Sequence, residues 1–166
     1  MIIPSILSLL LAAASAQDID PSDPKSVDAM MCGPATEIFL PDPQRLLSPN
    51  VRLEHLQFMS PDDPCGRNFK HEEVTQLQEQ VKKIAVNSFA GSQSSFGVMV
   101  QYTLAPGSPA VFEMRVMDAP ATEQQRLTAF HDGAKALKVF TPTGAIVHVA
   151  IQYAVSPAPV VRAGGG

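Results

Sequence analysis

The sequence predicts an α+β fold: a three-stranded antiparallel sheet with two helices packed on one face, preceded by a Pro-rich, disulfide-tied arm. Three observations lead there. Two segments carry apolar residues at steps of three and four, the period of an amphipathic helix. Three others alternate strictly, the period of a half-buried strand. Eight of the fifteen prolines fall between residues 21 and 64, and none lies between Cys65 and Ala105, so the composition changes where the periodic pattern begins. Each strand has one apolar face, and two helices with one apolar stripe each suffice to cover it.

Residues 1–16 read as a secretory signal peptide. Ile2 to Ala14 is apolar apart from Pro4, Ser5 and Ser8, and it leads into Ala14-Ser15-Ala16, a small-x-small cleavage site, then into Gln17-Asp18. The run is shorter than the roughly 20 residues of a spanning helix, and no other stretch approaches that length, so stable membrane insertion is not expected. No Lys or Arg precedes the run, which leaves an uncleaved anchor as the alternative. Export places the two cysteines, Cys32 and Cys65, in an oxidising compartment, where they are expected to form a disulfide worth roughly 3–4 kcal/mol in the chain-entropy model. Two inert buried thiols are the alternative. Without a C-x-x-C spacing, neither zinc nor redox chemistry is indicated.

Residues 17–67 form the arm. It begins acidic, with Asp18, Asp20, Asp23 and Asp28, and holds two stretches suited to short extended segments laid on the domain, Thr36 to Leu40 and Val51 to Phe58. Residues 68–155 form the domain. Val74, Leu77, Val81, Ile84 and Ala85 make the stripe of a first helix, with Asn68 as N-cap, Glu72 and Glu73 at its positive end and Gly91 as its stop. Val98, Val100, Tyr102 and Leu104 alternate with Met99, Gln101 and Thr103. Phe112, Met114 and Val116 alternate with Glu113 and Arg115. Between the two runs, Pro106-Gly107 suits the centre of a type II turn, which makes them a hairpin.

Thr122 and Gln125 fit a capping box opening a second helix with Leu127, Phe130, Ala134 and Leu137 on its stripe, and Gly133 within it marks close packing against the sheet. The third strand runs from Ala145 to Val155, with Val147, Val149, Ile151 and Tyr153 on its apolar side. The polar sheet face then carries Gln101, Thr103, Glu113, Arg115, His148 and Gln152. Residues 156–166 are a loose tail.

Chemistry is sparse. Lys and Arg total 12 against 16 Asp and Glu, giving a net charge of −4 with no basic stripe, so nucleic acid is not an expected partner. His71-Glu72 starts like H-E-x-x-H, but Thr75 occupies the place of the second ligand. His55, His131 and His148 share no metal-ligand spacing. Gly91 to Ser95 is not a nucleophile elbow, and no phosphate-binding glycine motif is present. The expectation is a protein without metal or cofactor, and not an enzyme.

The segment from Phe96 to Val155 resembles the C-terminal domain of the TonB/TolA family. The resemblance rests on Leu104-Ala105-Pro106 at the hairpin, Val116-Met117-Asp118 ending the second strand, Ala136-Leu137 closing the second helix, Phe140-Thr141-Pro142 after it, and a final apolar strand. It extends over residues 68–155 with the first helix included. It departs at the hairpin tip, where Pro106 to Pro109 replaces Asp-Gly, and at Lys138-Val139-Phe140, where an aromatic/Arg pair is usual.

The resemblance implies a periplasmic or secreted protein that binds an envelope protein by pairing an edge strand with an extended partner segment. The last strand is the expected edge, with Ile146, His148, Ala150 and Gln152 as the partner-binding residues, unless the Pro-rich arm itself closes that edge. Open edges also permit a homodimer. The rival readings are a secreted inhibitor presenting the Pro106–Pro109 tip and, behind it, a small enzyme.

Overall fold

The computed structural model describes residues 35–37, 45–63 and 68–159. The signal-peptide segment, both cysteines with their expected disulfide, and the tail beyond Pro159 lie outside these. The order along the chain is β1 (Ala35–Glu37), β2 (Leu46–Ser48), β3 (Val51–Met59), α1 (His71–Phe89), β4 (Phe96–Leu104), β5 (Val111–Met117), a 3-10 turn (Ala121–Glu123), α2 (Gln124–Lys135) and β6 (Val147–Val155).

The α+β class and the two helices stand, but the sheet is larger than three strands. Its antiparallel order is β1-β3-β6-β4-β5, with β2 also pairing with β3. The added strands come from the segment read as an arm. β3 is integral because Val51, Leu53, Leu56 and Phe58 all reach the core. Those four do not keep one alternation. A bulge between Leu53 and His55 places an extra residue opposite β6 and returns Leu56 and Phe58 to the buried face.

The helix-covered face is built from these four residues together with the alternate residues of β4 and β6, from Phe96 to Leu104 and from Val147 to Val155. Phe89 of α1 and Phe130 of α2 meet at 5.0 Å over this face, and Phe130 stands edge-on to Tyr153 at 6.3 Å.

Both helix starts differ from expectation. Asn68 does not cap α1. Its N–H donates to the Asp63 carboxylate at 2.7 Å, while its carbonyl accepts from the N–H and the hydroxyl of Thr143, tying the approach to α1 to the approach to β6. The N-cap is Lys70, whose N–H is held by the Glu73 carboxylate at 3.0 Å. Thr122 lies exposed in the 3-10 turn after Pro120, and the N-cap is Glu123, so α2 begins one residue later than a Thr122 cap would place it.

Gly133 faces the other helix, not the sheet: a Cβ there would lie 2.9 Å from Ile84 Cγ2, so α1 and α2 approach closely at this point. Arg126 of α2 extends this contact by donating to the Ala90 carbonyl at 2.8 Å, beyond the α1 C-terminus, where carbonyls lack helical partners. Arg126 also pairs with the buried Glu123 carboxylate, which accepts from Ser92 Oγ. The hairpin turn is as expected, with Gly107 at φ 68° and the Ser108 N–H reaching the Ala105 carbonyl.

The chain has two tyrosines and no tryptophan, and both tyrosines are buried on the covered face, Tyr102 opposite Val149 and Tyr153 opposite Val98. Tyr102 Oη donates to the Ala134 carbonyl at 2.8 Å, whereas Tyr153 Oη has no hydrogen-bond partner among the described residues. Tyr102→Phe is therefore expected to cost about 0.5–1.5 kcal/mol by removing one buried hydrogen bond, the Ala134 carbonyl keeping the Leu137 N–H at 3.3 Å, and Tyr153→Phe to be neutral or stabilising, as read from urea midpoints.

Burial raises both phenols well above the ordinary value of 10.0. The folded state thus holds these protons where the unfolded chain releases them, and stability is expected to fall as pH rises above about 10. Tyrosinate absorbance should appear in step with loss of the circular-dichroism signal. An earlier, non-cooperative rise would contradict the burial.

A candidate protein-binding edge

The four expected partner-binding residues do not lie on an edge. β6 pairs along its whole length with β3 on one side and β4 on the other, so its main-chain donors and acceptors are already used. The arm closes that edge, the alternative the sequence left open. His148, Ala150 and Gln152 instead sit mid-sheet on the face opposite the helices. Ile146 precedes the strand, and its carbonyl accepts from Ser60 Oγ at 2.9 Å.

The register arranges this second face in four cross-strand rows: Arg52, Ala154, Gly97, Met117; then His55, Gln152, Met99, Arg115; then Gln57, Ala150, Gln101, Glu113; then Met59, His148, Thr103, Val111. His148 Nδ1 lies 3.1 Å from Thr103 Oγ1. His55 and His148 are two rows apart, about 13 Å at strand rise. His131 is on α2, its Nδ1 2.9 Å from Asp132 Oδ1 and its ring edge-on to Phe112. No cluster of three metal-ligating side chains occurs among the described residues, and no described helix is long and apolar enough to cross a membrane.

The two ends of the sheet differ. On one side β1 is three residues long, and a short strand is one way proteins blunt an edge. On the other, β5 is seven residues long, pairs among the described residues only with β4, and contains neither proline nor bulge. Alternate N–H and C=O groups along it point away from β4, and its ends are apolar on both faces: Val111 is 55% exposed, Val116 40% and Met117 38%. Those three are most of the large exposed apolar side chains among the described residues. Asp118, at φ 60°, turns the chain away immediately after the strand.

Beside β5, on the helix side, an apolar groove of about 430 Å3 runs between the strand and α2. Met114, Val116, Ala119 and Leu127 line its apolar part, with Gln124 and His131 at its polar margin. A strand added to β5 would direct alternate side chains into this groove and the others onto the open face. Periodicity alone found the alternation from Phe112 to Val116 but not the apolar ends. The available signal was that Val111 and Met117 extend the run with apolar residues on its polar side. No family model, curated protein or solved structure matches the chain.

Proposed function

We propose that the chain is an exported module that binds an envelope protein by taking up an extended segment at the β5 edge, without catalysing a reaction. The observation that carries this reading is a long, unblunted edge strand with apolar exposure, bordered by a groove able to receive alternate side chains. Main-chain hydrogen bonds supply affinity in such pairing, and the groove supplies choice. The apolar run from Ile2 to Ala14 with its small-x-small site supports export to the periplasm or beyond, and the resemblance of residues 96–155 to the TonB/TolA C-terminal domain supports the binding mode. The mode is thus kept while the strand changes from β6 to β5.

A photo-reactive residue at Glu113 on β5 tests this, with Gln152 on the open face and Gln76 on α1 as controls, in the native envelope. Capture of a discrete protein species from Glu113 but from neither control is the expected result. Capture from Gln152 alone would place binding on the sheet face and sink the edge reading.

A further inference from the structure

Resting on the edge reading, we infer that the segment taken up at β5 is β5 of a second copy of this chain, paired antiparallel about a two-fold axis through Met114. The strand reads Val111, Phe112, Glu113, Met114, Arg115, Val116, Met117. Paired with itself about Met114, it sets Glu113 opposite Arg115 of the second copy and Arg115 opposite its Glu113. The same axis sets Phe112 against Val116 on the helix side and Val111 against Met117 on the open face. Opposed residues thus match in character at every position, the self-complementarity an isologous interface requires.

The charges select this register. Moving the axis to Glu113 sets carboxylate against carboxylate, and moving it to Arg115 sets guanidinium against guanidinium. Slipping the register by one residue, which moves the axis to a point between two residues, pairs a helix-side position with an open-face position and puts the helices of the two copies on opposite sides. Exposed ion pairs contribute little affinity, but like charges directly opposed are unfavourable, so they decide register while the main chain and the apolar residues supply the attraction. In the chosen register both β5–α2 grooves lie at one seam, with Met114 of each copy at its centre, and two sheets join into one. This covers Val111, Val116 and Met117, the side chains that leave the edge unblunted.

The test is sedimentation equilibrium on the purified protein and three variants. The parent is expected to be a dimer. Glu113→Arg alone and Arg115→Glu alone each oppose like charges twice and should weaken self-association about tenfold or more. The double exchange E113R/R115E restores opposite charges and should recover it. Mixing the two single variants should give a heterodimer, because one then carries two arginines and the other two glutamates. Both positions are exposed, so unchanged circular dichroism checks the fold.

A photo-reactive residue at Val111 should cross-link to Met117 of the other copy. A monomeric parent, or a dimer indifferent to these exchanges, overturns the inference. If the parent is monomeric and the Val111 probe captures an extended segment of another protein, self-pairing fails while the edge reading stands. If it is monomeric and the probe captures nothing, both fail.

Discussion

Val149→Pro should abolish cooperative folding. Val149 lies midway along β6, opposite Phe58 of β3 and Tyr102 of β4, and is fully buried. Proline removes a ladder N–H, leaves a buried carbonyl on a neighbouring strand unpaired at about 1–3 kcal/mol, and wedges its ring between strands. With the lost packing of the valine, the total reaches about 4 kcal/mol or more, a large part of the 5–15 kcal/mol that stabilises an ordinary domain.

Had β6 been an edge, the same substitution would have removed partner binding and spared the fold. On β5 the outcome should depend on position. Of Met114→Pro and Arg115→Pro, one removes an N–H that points away from β4 and should melt close to the parent, and the other breaks the β4 ladder. Thermal melts of the three variants distinguish these cases. A V149P variant melting within a few degrees of the parent would contradict the central placement of β6.

The second large effect comes from removing β3. A fragment starting at residue 68, where the helical pattern begins, is expected not to fold, whereas one spanning residues 45–159 should unfold cooperatively. β3 supplies Val51, Leu53, Leu56 and Phe58, each 7% exposed or less. At roughly 1.5–3 kcal/mol for burying each, these side chains together contribute about as much as a whole domain's net stability. Their loss also strips the β6 edge and uncovers the apolar face beneath α1. Adding a peptide of residues 45–63 to the short fragment should restore a folded circular-dichroism spectrum, and saturation of that recovery measures the affinity of β3 for its place. A short fragment that folds alone would show β3 to be an accessory.

Much of the sheet was legible because its burial is simple. In β4 and β6 one residue in two is buried without interruption, and period two in the chain maps directly onto that pattern. Both helices were legible for the same reason, and the Pro106-Gly107 turn because only a residue without Cβ accepts the positive φ at its centre without strain. β3 was harder. Its buried residues change phase after Leu53, and no local rule distinguishes a strand with a bulge from an irregular segment with two apolar pairs; only pairing with β6 shows that the extra residue is accommodated. The start of α1 was harder to read because the Asn68 backbone is drawn to the Asp63 carboxylate five residues earlier and to Thr143 across the fold, and the second of these no local rule supplies.

What the sequence determined by itself is the set of local structures: the class, the two helices, the hairpin, and which face of β4, β5 and β6 is apolar. These depend on side-chain period and turn stereochemistry, which act over a few residues. Strand order is a different kind of quantity. Whether β6 lies at the edge or in the middle depends on which other segment gains most by covering its open ladder, and the tertiary structure resolved that competition in favour of β3, since this buries four apolar side chains in addition to satisfying the backbone. Among the described strands β5 is outermost on the other side, with Glu113 and Arg115 exposed on its open face.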